Sequence, residues 1–115
     1  MTDPGRVVPD DPLAFIRRCV QQRMVLWTYH VQMRLKGRSI SRSVILESID
    51  DAEVIESYPE DKYLPSYLIL TSHADESFHI LFAVDVPGSN VRIVTAYKPD
   101  LSEWEPDMRT RRTKR

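Results

Sequence analysis

The sequence predicts an α+β domain in which two or three N-terminal helices pack on one face of a four-stranded antiparallel sheet. Three observations predict it. Apolar residues recur at helical spacing up to about residue 50 and in strand-like runs beyond it. Residues able to cap helices stand at Asp11, Thr28 and Ser41, each just ahead of a helical stretch. Pro-, Asp- or Gly-containing connections then separate four short runs, and helices followed by strands are the order of an α+β fold.

Residues 1–10 hold two prolines and a glycine without periodicity, and are expected to be a flexible arm. The domain is expected over 11–108. Asp11 is an N-cap and Pro12 sits where a helix needs no N–H, so a helix is predicted over 12–23, with Leu13, Ile16 and Val20 on one stripe. Val25-Leu26-Trp27 is a short apolar passage. Thr28 then caps a helix over 29–37 that Gly37 is expected to end, and Ser41 caps a third over 42–50, with Ile40 and Ile45 as a hydrophobic staple. The strand-like runs are Glu53 to Tyr58, Tyr67 to Ser72, Phe78 to Val84 and Val91 to Tyr97. In the third run Phe78, Ile80, Phe82 and Val84 share one face, and His79, Leu81 and Ala83 the other. The predicted core adds Val44, Ile49, Ile69 and Ile93. Trp104 is expected to pack back on the sheet, and 109–115 to be a disordered basic tail.

At 115 residues the chain can bury one core and not two. No apolar run approaches the ~18 residues of a membrane span, so no membrane association is expected. Cys19 is the only cysteine, which excludes an internal disulfide and a cysteine-built zinc site. With no signal-like start, the expected compartment is the cytoplasm. The net charge of -1 hides a segregation: residues 1–46 carry 8 Lys/Arg against 3 Asp/Glu, residues 47–108 carry 3 against 14, and residues 109–115 carry 5 against none. The basic portions would steer a polyanion, although charge runs are also ordinary solvated faces.

His30, Arg34 and Arg38 recur every fourth residue, so on a helix they drift only about 40° per step and form one ridge. Two guanidiniums beside an imidazole suit a phosphate, and the same ridge could equally be an exposed face paired with acidic groups. His73 lies in a polar stretch and is read as surface. Three histidines without a metal-ligand spacing predict no metal site, and no cofactor is expected.

The string His30-Val-Gln-Met-Arg34-Leu-Lys-Gly-Arg38-Ser-Ile40-Ser41 resembles the helix motif of an uncharacterised bacterial domain-of-unknown-function family (DUF family 4258). Pro65-Ser66-Tyr67-Leu68, Phe78-His79-Ile80 and Thr95-Ala96-Tyr97-Lys98-Pro99 with Trp104 resemble its later segments in the same order. The family is similar in size and element order to small toxin ribonucleases of the RelE, MqsR and BrnT kind. That similarity implies a RelE-like fold, RNA as substrate, cleavage without metal, and an antitoxin-like protein partner. It implies His30 and His79 as acid and base, Arg34 and Arg38 on the phosphate, and Tyr97 stacked on a base. The acidic count over 47–108 departs from such basic toxins, and a non-catalytic interaction module on the same fold is the alternative.

Strand register sharpens the expectation. A five-residue loop over 86–90 would pair Asp85 with Val91, Leu81 with Thr95 and His79 with Tyr97, which puts His79 and Tyr97 on one face. A loop one residue shorter would separate them.

Overall fold

The computed structural model describes residues 7–112. Helix α1 spans Pro12–Gln21, α2 Tyr29–Gly37 and α3 Arg42–Ser48, the last running into a 3-10 turn at Ile49–Asp51. All three expected caps form: Asp11, Thr28 and Ser41 accept from the N–H of Ala14, Val31 and Val44 at 3.1, 3.1 and 3.2 Å. Helix α2 ends at Gly37 as expected, but Gly37 is not the left-handed residue of the turn. The left-handed position is Ser39, at φ 57°, and the Ile40 N–H reaches back to the Leu35 carbonyl at 2.9 Å. Arg23, at φ 62°, performs the same turn after α1.

The sheet has five strands and is mixed, where four antiparallel strands were predicted. Strands β2 (Glu53–Tyr58), β3 (Ser66–His73), β4 (Glu76–Asp85) and β5 (Asn90–Tyr97) are the expected antiparallel set. The fifth is β1, Val25–Leu26, which runs parallel to β5 at Val91 and Arg92 and gives the order β1-β5-β4-β3-β2. Two residues are too few to show a period, so the apolar passage Val25-Leu26-Trp27 carried no strand signal of its own.

One face of the sheet is covered by the helices. Phe15, Ile16, Cys19 and Val20 of α1, Val31 and Leu35 of α2, and Ile45 of α3 form one buried cluster with Tyr67, Ile69, Phe78, Ile80, Phe82, Val84, Val91 and Ile93. The staple residues Ile40 and Ile45 are both in it, while Leu13 and Val44, expected in the core, lie at its edge. At about 25 cal/mol per Å² of apolar surface removed from water, this cluster is the main source of stability.

The β4–β5 connection is one residue shorter than expected: Asp85 pairs with Asn90, not Val91. That alone would have put His79 and Tyr97 on opposite faces. A bulge reverses the error, because Phe82 pairs with Ile93 and Leu81 with Thr95, leaving Val94 as an extra residue in β5. His79 therefore does face Tyr97 across the strand pair.

The other face is partly covered by the chain's own end. Trp104 is 1% exposed and pairs with Arg111 in an isolated antiparallel bridge, so residues 98–112 form a strap that returns over the sheet. Arg109, Arg111 and Arg112, expected in a tail that does not pack, bind Glu53, Glu56 and Glu105. The acidic half of the sequence supplies their counter-charges, which is why a basic run without apolar residues still docks. Residues 113–115 of that tail, and 1–6 of the expected N-terminal arm, lie outside the described residues. Among the described residues, no helix is long and apolar enough to cross a membrane.

Candidate functional site

Antiparallel register places Leu81 and His79 of β4 on the open face beside Thr95 and Tyr97 of β5, and Leu68 of β3 beside Leu81. Tyr58 and Asp61 follow from the end of β2, and Arg111 comes from the strap. Together Tyr58, Asp61, Leu68, Leu81, Thr95, Tyr97 and Arg111 line a cleft of about 370 Å³. Its floor is aliphatic and its walls are aromatic and charged. Asp61 also fixes its own loop, accepting from the Ser66 hydroxyl at 2.6 Å.

Arg38 comes from the helix layer to Thr95, one of the cleft residues. Its Nη1 donates to the Ala96 carbonyl at 2.8 Å and to the Thr95 hydroxyl at 3.2 Å, so the guanidinium is held at the rim by the edge of β5. Arg111 stacks on the Trp104 ring at 4.5 Å and donates to both oxygens of Glu56, at 2.7 and 3.0 Å. Those bonds hold the Glu56 carboxyl below the usual carboxylate range and push the Arg111 guanidinium up. The Tyr58 hydroxyl donates to the same carboxylate.

His79 has no solvent exposure and lies edge-on between Tyr97 and Trp104, at centroid distances of 5.3 and 4.3 Å. Its Nε2 lies 2.7 Å from the Met108 carbonyl, which can only accept, so Nε2 carries the proton. The bare Nδ1 then accepts from the Tyr97 hydroxyl at 3.2 Å. Burial lowers the His79 pKa, against the opposing pull of the Met108 carbonyl and Glu56, and the imidazole is neutral at pH 7. Burial raises that of Tyr97. The result is a line of hydroxyl, imidazole and carbonyl that ends in the cleft, and the imidazole itself does not reach the cleft wall.

The structure therefore divides the five residues singled out from the sequence. Tyr97 lines the cleft with His79 behind it, and Arg38 bonds the Thr95 hydroxyl without itself lining the cleft. His30 and Arg34 do not join them. Both are exposed on α2, where the His30 ring meets the Tyr29 ring edge-on at 6.1 Å. His30 and His79, cast together as acid and base, thus sit in unlike places, one in water and one sealed. The sequence reading missed Tyr58, Glu56 and Arg111. The excess of acid over 47–108 beside a basic C-terminal run was the available signal that the two would pair. His73 is the last residue of β3 and faces Glu47 at 3.2 Å. Among the described residues, no three His, Cys, Asp or Glu side chains converge to hold a metal ion.

Fold and site define a small α+β domain with a largely apolar, charge-rimmed cleft on the sheet face away from the helices. The profile of one family, described as "Domain of unknown function (DUF4258)", matches residues 27–98, well over half of the sequence, and the chain belongs to that family. The matched span includes Arg38, His79, Tyr97 and most of the cleft, while α1 and the strap bearing Trp104 and Arg111 lie beyond it. No curated protein and no solved structure matches the chain.

Proposed function

We propose that the chain is a toxin-like, metal-independent endoribonuclease with a RelE-like arrangement of helices and sheet, acting in the cytoplasm and held by an antitoxin-like protein partner. The observation that carries this reading is the Tyr97–His79–Met108 line, which ends at a cleft flanked by two arginines. The cleft volume accommodates a nucleotide, its aliphatic floor and two tyrosines suit an unstacked base, and Arg38 at the rim suits a phosphate.

The chemistry follows from the hydrogen bonds. A ribose 2'-hydroxyl beside Tyr97 passes its proton to the tyrosine oxygen as the tyrosine's own proton passes to Nδ1 of His79. The 2'-oxygen attacks the adjacent phosphorus and the bond to the 5'-oxygen breaks. A 2',3'-cyclic phosphate forms, and the departing 5'-oxygen takes a proton from water at the cleft mouth. The Met108 carbonyl fixes the tautomer that makes Nδ1 the acceptor, as the third member of a catalytic triad does. Arg38 and Arg111 bear the charge that gathers on phosphorus. His79 never touches substrate in this scheme and is a positioning and proton-holding residue. His30 has no part in it.

The test is cleavage of a short single-stranded RNA by the purified chain in the presence of a chelator. Cyclic-phosphate products, none from a 2'-deoxy control, and a fall of about 10² or more for Tyr97→Phe are expected. Undiminished cleavage by Tyr97→Phe, or none by the native chain, would overturn the reading. The sealed imidazole favours one second reading, a non-catalytic protein-interaction module in which His79 only anchors the strap. That reading gains if RNA stays intact while the native chain still captures a defined protein partner.

A further inference from the structure

Helix α2 presents an outer face that the domain does not use. Val31 and Leu35 bury one side, which leaves Tyr29 71% and Met33 50% exposed on the opposite side, four residues apart. Gly37 continues that row at the next step of four, and His30, Arg34 and Arg38 run beside it as a parallel row. The second row ends where Arg38 grips Thr95 and Ala96 at the cleft rim.

Gly37 is the unexpected member. It is the last residue of α2, its φ is not positive, and the helix is stopped two residues later by Ser39. An added Cβ would meet nothing within 4 Å. Neither backbone nor packing asks for glycine there, and glycine in a helix is less favourable than alanine by roughly 1 kcal/mol. A glycine without an internal reason, on a row of exposed residues, is what a closely approaching ligand backbone requires.

We propose that the outer face of α2 is the track along which single-stranded RNA continues from the cleft, with phosphates beside Arg38, Arg34 and His30, sugar and phosphate passing close over Gly37, and bases against Met33 and Tyr29. The proposal rests on the cleft being an RNA site. Charge argues for this occupant: residues 12–46, which include all of α1 and α2, contain 7 Lys/Arg and no Asp or Glu, so these two helices attract a polyanion. Alternation of an exposed aromatic with guanidiniums is the surface on which a single strand binds without base-specific contacts. The nine residues of α2 rise about 13 Å, room for roughly four stacked nucleotides at 3.4 Å each.

The test compares a two-nucleotide and a six-nucleotide single-stranded RNA, made uncleavable by 2'-methoxy groups, by fluorescence anisotropy on the full chain. The six-mer is expected to bind the native protein at least tenfold more tightly than the two-mer. Gly37→Ala and Tyr29→Ala are expected to shrink that advantage to threefold or less while leaving two-mer binding and cleavage of a dinucleotide unchanged. Gly37→Ala should at the same time raise the melting temperature. Arg34→Ala should reduce the slope of log affinity against log salt by about 0.7, the value for one phosphate on a single strand. Equal binding of both lengths, or full six-mer affinity in Gly37→Ala, overturns the track and leaves the cleft reading standing. Length-dependent binding that requires Gly37 and Tyr29, without cleavage of unmodified RNA, keeps the track and sinks the ribonuclease. An acidic peptide of equal charge that displaces the six-mer at equal concentration also overturns it, in favour of a protein partner.

Discussion

On the helix side of the sheet, Ile69, Ile80, Phe82, Val84 and Val91 are buried in a mostly aliphatic and aromatic cluster. On the other side the same strands bury His79, whose nitrogens must both find partners, under a strap held by one tryptophan and several ion pairs. Side chains alternate between these faces every residue, so β4 is built to two standards at once. Water exclusion dominates the first face, with one buried hydrogen bond from the Thr71 hydroxyl to the Ser48 carbonyl. The second depends on satisfied polar groups, which cost more when broken than they contribute when made. A face of the second kind is a place where chemistry can be located, and mutating each face in turn separates the two.

The largest effect is expected on the helix side. Phe82→Ala removes a fully buried ring from the centre of the cluster and should cost about 3–5 kcal/mol in denaturant unfolding, with the whole domain losing stability together. Trp104→Ala deletes a ring of comparable burial from the strap, and about 3 kcal/mol is expected. The two should differ in where they act. Hydrogen exchange in Trp104→Ala should rise over 105–112 and spare β3 and β4, because the strap can lift while the hydrocarbon cluster stays closed. Uniform loss of protection in both variants would mean that the two faces are one cooperative unit.

This contrast also explains what could be read from the sequence. The helix side was legible because it obeys periodicity: the caps at Asp11, Thr28 and Ser41, the four long strands and the row Phe78, Ile80, Phe82 and Val84 all follow from local pattern. What failed depends on distant partners. β1 exists only because β5 lies beside it, and the strap docks only because Glu53 and Glu56 stand where its arginines arrive. The opposition of His79 and Tyr97 was predicted from a loop length that is wrong by one and rescued by a bulge at Val94 that leaves no sequence signal. Of the cleft lining, Tyr97 was legible, while Arg38 bonds to the cleft residue Thr95 without lining the cleft. The role of His79 was not, because burial decides whether an imidazole exchanges protons with substrate or holds a neighbour, and burial came from Trp104 and Met108.

A smaller effect separates the faces by pH. The His79 pKa is lowered in the fold by burial, so the unfolded chain binds a proton first as pH falls. This contribution to stability is complete above the unfolded histidine value of about 6.5 and is lost progressively below it. Glu56, lowered by its bonds to Arg111, adds a second loss below about 4.5. His79→Leu should cost about 2 kcal/mol at pH 7 by stranding the Tyr97 hydroxyl and Met108 carbonyl, and should flatten the first limb of the curve. Thermal melts between pH 8 and pH 5 test this, and an unchanged limb in the variant would assign the acid sensitivity to another group.

The smallest effects belong to the ion pairs of the strap, and they are not equal. Arg109 and Glu53 are about half exposed on both sides, so water and salt screen their attraction and holding two long side chains in place offsets much of it. Arg111 and Glu56 differ because the carboxylate is only 20% exposed, the guanidinium bonds to both its oxygens, and the Trp104 ring lies beneath it. A double-mutant cycle on Glu56 and Arg111 should give a coupling of about 1 kcal/mol that survives 0.5 M salt in part. The same cycle on Glu53 and Arg109 should give a coupling too small to resolve at that salt. Equal couplings would show that the strap is held by general attraction to an acidic surface, and the cleft wall formed by Arg111 would then be no better fixed than any surface arginine.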